Sequence, residues 1–186
     1  MGGRYTIRGR LCACAAAVVV AACGGAPATR PAAAKPKSSL EAYALLVSTH
    51  GYLTNGSVRF VQEGDRVLVS TDVHNLPPDS VHGLHVHETG DCSAPDAMSA
   101  GGHFNPDHRP HGAQQGPHHA GDLPSLRADA NGVASVTFVV DDISVSAGPH
   151  SIVGKALIVD AGPDDYTTQP TGNSGARVAC GVIALR

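Results

Sequence analysis

The 186-residue sequence predicts an all-β domain, a sandwich or barrel of short strands with two long functional loops. Three observations lead there. Short segments that alternate apolar and polar residues recur between turn signals, the period-two pattern of half-buried strands. No window offers a helical period over twelve or more residues. Glycine (22) and proline (13) are abundant, a mix that favours turns and loops.

Each element follows from its own pattern. Ala42 to Ser48 opens the domain. Gly56 to Glu63 alternates, meets Gly64-Asp65, and continues as Arg66 to Val73, a hairpin signal. Gly83 to His87 is a further strand. Gly132 to Val140 follows the turn Asp129-Ala130-Asn131-Gly132. Ala156 to Val159 and Val178 to Leu185 complete the set. Residues 89–122 and 160–177 lack periodicity, and loops of that length in a compact domain are usually functional or disordered. Hydrophobic residues make up 42% but aromatics only 4%, with no tryptophan, so the core is built from Val, Ile, Leu and Ala. A net charge of −3 gives no basic signature, which excludes nucleic acid as a partner.

The chain divides into three parts. Residues 1–22 read as a leader. Arg4, Arg8 and Arg10 form a basic stretch, and the apolar run Leu11–Ala22 is too short to span a bilayer but suits a signal peptide. The run ends in Val20-Ala21-Ala22-Cys23-Gly24, which resembles the lipobox of bacterial lipoproteins, with Cys23 as the lipidated residue. Residues 23–39, rich in Ala, Pro, Lys and Ser, read as a flexible tether. The folded domain is residues 40–186. Cys12 and Cys14 lie in the apolar run and leave with it, and lipid takes Cys23. Cys92 and Cys180 remain, as a pair in an oxidising compartment. The expected location is therefore a bacterial periplasm or cell surface, with the protein held to the membrane by its N-terminal lipid.

Eight of the eleven histidines fall between His82 and His119. His85 and His87 are two apart on a strand, so both imidazoles leave the same face. His103, His111 and His119 follow in the long loop, with Asp122 three residues after the last. Imidazole suits copper and zinc, and three histidines with a carboxylate form a closed tetrahedral zinc set. Scattered surface histidines, or a low-complexity metal-sequestering tract, would not need this spacing.

These motifs resemble one family. His82-Gly83-Leu84-His85-Val86-His87-Glu88-Thr89-Gly90-Asp91 is similar to the signature of copper,zinc superoxide dismutases. So are Gly102-His103-Phe104-Asn105-Pro106, His119-Ala120-Gly121-Asp122-Leu123 and Gly172-Asn173-Ser174-Gly175-Ala176-Arg177-Val178-Ala179-Cys180-Gly181. The resemblance implies an eight-stranded Greek-key β-barrel, a flattened sandwich, whose function is disproportionation of superoxide. It implies copper on His85, His87 and His103, and zinc on His103, His111, His119 and Asp122, with His103 bridging the two ions. It implies that Arg177 guides the superoxide anion, that Asp164 orients ligands of both metals, and that Cys92 pairs with Cys180. His82 is then structural, and His118 an extra residue facing solvent. Relatives of this kind occur as monomers and homodimers.

One position departs from the pattern. The fourth copper histidine is expected after Leu157-Ile158-Val159, where this chain has Asp160. A carboxylate is shorter than an imidazole and a harder donor. Two expectations follow: an enzyme with an altered copper site, in which Asp160 either binds or is lost as a ligand, or a non-catalytic zinc-stabilised lipoprotein that binds or buffers copper.

Overall fold

The computed structural model describes Gly2, Gly3 and residues 39–186. The leader, Cys23 and all of the tether but Ser39 lie outside the described residues. Eight antiparallel strands form one sheet: β1 (Glu41–Ser48), β2 (Asn55–Glu63), β3 (Arg66–His74), β4 (Val81–His87), β5 (Asp122–Arg127), β6 (Thr137–Val140), β7 (Ala156–Asp160) and β8 (Arg177–Leu185). Their order is β5-β4-β7-β8-β1-β2-β3-β6, so the sheet wraps into a nearly closed barrel whose edges are β5 and β6. Among the described residues the only helical turn is the 3₁₀ segment Met98–Ala100.

The strands form where alternation demands them. On β1, Ala42, Ala44 and Leu46 turn inward; on β2, Val58 and Phe60; on β3, Val67, Val69 and Val73. These residues join Leu84, Val86, Leu157, Val159 and Ile183 in one core whose buried aromatic members, among the described residues, are Phe60 and Phe104. Small aliphatic side chains thus fill the barrel, as the composition requires.

β4 and β7 behave differently, for they are buried on both faces. Their inward residues enter the main core. The outward residues Ala156 and Ile158 of β7 pack under Ala97, Ala100 and Cys180 in a second cluster. The loop between β4 and β5 therefore lies over this outer face. That loop is fastened to β8 by the Cys92–Cys180 disulfide, whose Cα atoms are 5.8 Å apart in space and 88 positions apart in sequence. In the chain-entropy model, closing a loop of that length stabilises the fold by about 4–5 kcal/mol.

Two strands differ from the sequence expectation. β5 is absent from it because Pro124 interrupts the segment Asp122–Arg127. Proline cannot donate to a ladder, and the strand is tolerated because it is an edge. β6 is shorter than Gly132–Val140. The Thr71 hydroxyl bonds the backbone of Ala134 and Val136, interrupting the ladder, so Ala134 remains only as an isolated bridge to Val73.

Candidate metal centre

Register brings the site together. His85 and His87 leave the outer face of β4, under the long loop. Across β4 and β5, His85 pairs with Asp122. His87 forms a bridge with His103. Across β7 and β8, Asp160 pairs with Arg177, beside a bulge at Val159/Asp160. Residues between 16 and 37 positions apart thus become neighbours through strand pairing alone.

Two clusters result, sharing His103. His103, His111, His119 and Asp122, all buried, bring one donor atom each within 4.8 Å of one another. His85, His87 and His103 do the same. Hydrogen bonds decide which nitrogen of each ring is free. His103 Nδ1 donates to Asp122 Oδ1 at 2.8 Å, leaving Nε2 for the trio. His87 Nδ1 donates to the Gly101 carbonyl at 2.9 Å, leaving Nε2 buried and without a partner. His111 and His119 likewise have buried Nδ1 atoms without a hydrogen bond. His111 Nδ1 lies 3.0 Å from Asp122 Oδ2 and His119 Nδ1 3.3 Å from Oδ1, in orientations unsuited to hydrogen bonding. Buried nitrogens without partners cost free energy unless something binds them. Their convergence on a carboxylate is the donor set of a closed tetrahedral zinc site, and the residues fit that ion.

Asp164 spans the two clusters. Its Oδ1 accepts from His111 Nε2 and its Oδ2 from His85 Nε2, each at 2.9 Å. Gly172 packs on this junction in a left-handed conformation, φ 66°, where an added Cβ would collide with Asp164 Oδ1 and His111 Nε2. Gly172→Ala is expected to destabilise the fold by more than about 2 kcal/mol and to lower zinc affinity. Urea unfolding of the zinc-free and zinc-loaded protein measures both.

Asp160 is turned to His85. It does not join the trio. Its Oδ2 lies 2.8 Å from His85 Nδ1, the only nitrogen of that ring not already taken by Asp164. Its carbonyl accepts from the buried His82 Nδ1 at 2.7 Å, and His82 Nε2 meets Ser80 Oγ at 2.6 Å, which gives His82 its structural part. None of His50, His74, His118 and His150 joins the trio either. His118 does not face solvent, contrary to the expectation. It is 4% exposed because Gly116 and Asp142 bond its two nitrogens and draw it under the loop.

Arg177 is half-buried. Its Nη1 donates to the Ala97 carbonyl at 2.7 Å and its Nη2 to the Gly101 carbonyl at 2.6 Å. Burial lowers its pKa from the ordinary value, but a guanidinium keeps its charge in proteins. It lines one open pocket with His87, His103, Asp160, His50 and Met98. The sequence reading missed Gln169, whose side-chain amide accepts from the backbone N–H of His111 and donates to its carbonyl, both at 2.9 Å. It also missed the Ala97 and Gly101 carbonyls. Neither feature carries a side-chain spacing signal.

The charges are strongly shifted. Burial alone would lower the pKa of His85, but hydrogen bonds to Asp160 and Asp164 outweigh it and raise the value to about 9. His111, between Asp122 and Asp164, is likewise raised to about 9 against its burial. Burial and the nearby His103 push His87 down to about 2. Burial would raise Asp122 and Asp164, but their histidine partners hold both well below the usual carboxylate range. The raised histidines stabilise the metal-free fold fully below pH ~6.5, and this is lost as pH rises through about 9. On the acid side His87 resists the proton that the unfolded chain takes up below ~6.5, and the depressed aspartates lose their contribution below ~4. The urea midpoint of metal-free protein is therefore expected to peak near pH ~6.5 and to fall towards both pH 4 and pH 9. A midpoint that stays level from pH 6.5 to 9 would contradict the assignment of the two charged histidines.

Comparison with known proteins gives a consistent picture. Residues 54–183 match the family model described as copper/zinc superoxide dismutase (SODC). Two proteins of Aquifex aeolicus (strain VF5) are similar. One, named superoxide dismutase (Cu-Zn) 1, is 37% identical over 149 residues, covering 74% of this chain and 88% of that protein. The other, superoxide dismutase (Cu-Zn) 2, is 37% identical over 150 residues, covering 77% and 86%. Among solved structures, a crystal structure of the clock protein EA4 superposes with a TM-score of 0.72 at 39% identity, covering 81% of this chain and 97% of that one.

Proposed function

Because the chain belongs to the copper/zinc superoxide dismutase family, we propose that it disproportionates superoxide to dioxygen and hydrogen peroxide with an altered copper site. The observation that carries this reading is the pocket in which Arg177 stands beside His87 and His103, open to a small anion. His85, His87 and His103 would hold copper, and His103, His111, His119 and Asp122 would hold zinc. Copper bound there supplies one-electron redox chemistry, for which imidazole donors are suited.

The chain's own residues do the rest. Arg177 is held by two backbone carbonyls, so its charge is fixed towards the pocket and draws the anion in. His103 turns Nδ1 to Asp122, which leaves Nε2 as the atom at the pocket that can take a proton and return it to nascent peroxide. The zinc cluster orients His103 and the long loop and takes no part in electron transfer. Asp160 acts against the rest: a carboxylate in the same pocket repels superoxide and offsets part of the attraction by Arg177. We also infer that Cys23 carries lipid and tethers the domain at the periplasmic or outer cell surface.

Superoxide decay per bound copper, with copper and zinc both counted, tests the reading. The parent is expected to turn over, and Arg177→Ala to lose about tenfold in rate and much of its salt dependence. A parent that carries both metals yet leaves superoxide decay unchanged would sink it. The contact between Asp160 and His85 favours a second reading in that event: a zinc-stabilised lipoprotein that binds or buffers copper without catalysis.

A further inference from the structure

The trio and the quartet are not equally ready for a metal. Every ring in the quartet but His103 turns an unpartnered nitrogen to its centre, and His103 is linked there only to Asp122, itself a donor. In the trio, His87 does the same. His85 does not. Asp164 takes its Nε2, and Asp160 takes Nδ1, the one nitrogen that Asp164 leaves for the trio.

Asp160 is held in that position by the fold. Its carbonyl is fixed by His82, which is 1% exposed. Its Cα sits at the end of β7 beside a bulge. Its carboxylate fills space that exists because residue 83 is glycine, where an added Cβ would lie 2.8 Å from His85 Cε1 and 3.0 Å from Asp160 Oδ2. His85 is itself wholly buried and stacked on His103 with ring centroids 4.1 Å apart, so it cannot swing free of the carboxylate.

The geometry points to Asp160 as a latch on the copper half of the site: its carboxylate occupies His85 Nδ1, so that copper enters only by displacing a buried carboxylate–imidazole contact, while zinc finds its own cluster open. The inference rests on reading the trio as copper's donors. It reverses the sign expected of Asp160 as a ligand. A ligand strengthens copper binding, whereas a latch weakens it.

The test is copper affinity. The zinc-loaded full-length protein is titrated with copper(II), and separately with copper(I), against a chromophoric chelator. Asp160→Ala is expected to tighten binding of both ions by about tenfold or more, the range of a lost charge-assisted hydrogen bond. Asp160→Asn, which keeps the shape and removes the charge, is expected to tighten it less, and carries the test alone should the alanine variant not fold. In the zinc-loaded parent, NMR is expected to show a slowly exchanging His85 Nδ1 proton that disappears when copper binds. Weaker or unchanged copper affinity in both variants overturns the latch. Tighter binding without any superoxide turnover leaves the latch standing and overturns the enzymatic reading instead, so the two failures are distinct.

Discussion

Asp122→Ala is expected to remove zinc from the protein, lowering its affinity by at least about 100-fold, beyond what loss of an outer hydrogen-bond partner costs at a metal site. The carboxylate does more than donate to an ion. It accepts from His103 Nδ1 and from the backbone N–H groups of Gly112 and His119, so it ties three points of the long loop to the start of β5. Without it, His103 loses its orienting partner and the raised pKa of His111 loses one of its two causes. Breaking buried charge pairs of this kind costs about 3–5 kcal/mol. The metal-free variant is therefore expected to unfold at markedly lower urea than the parent. Chelator competition for zinc and urea denaturation read the two effects separately. Retained zinc with full stability would show that the loop is held by something other than this carboxylate.

Asp160→His carries the second large effect, and its two consequences have opposite signs. A fourth imidazole would complete a set of nitrogen donors suited to both oxidation states of copper, and the change removes an acid from the pocket that Arg177 lines. Copper occupancy and superoxide turnover per protein are expected to rise by about tenfold to a hundredfold, one to two decades being about 1.4–2.8 kcal/mol. Loss of the bond to His85 is expected to destabilise the metal-free fold by about 1.5–3 kcal/mol. Metal counting beside turnover, and urea unfolding after chelation, give the two signs. A variant that gains neither copper nor activity would mean that the backbone at the end of β7 holds a side chain away from the trio.

The parts of this molecule legible in its sequence are those written in side-chain period and spacing. Short apolar or alternating segments between turn signals marked β1, β2, β3, β4, β7 and β8, because each turns a defined row of small aliphatic residues into the barrel. Spacing also brought out the histidines and Asp122 that the fold gathers. What stayed hidden is carried by backbone or by exception. β5 is an edge strand containing a proline, and β6 is cut short by a threonine hydroxyl. The Ala97 and Gly101 carbonyls have no residue-type signature at all. Asp160 was visible as a departure, but its contact with His85 depends on the bulge, on His82 and on the room left by Gly83. None of these three can be inferred from one position in the chain.

The Gly101 carbonyl accepts from both His87 Nδ1 and Arg177 Nη2, and it lies on the loop that Cys92 fastens to β8. One peptide group therefore links the covalent state of two sulfurs to the His87 ring and to the Arg177 guanidinium at once. Reduction of Cys92–Cys180 would slacken both together, although neither touches sulfur. The thiol chemistry of the surroundings would thereby become an input to the centre: a reduced barrel would keep His103 and the long loop tied through Asp122, while Arg177 and His87 would share a less firmly held anchor.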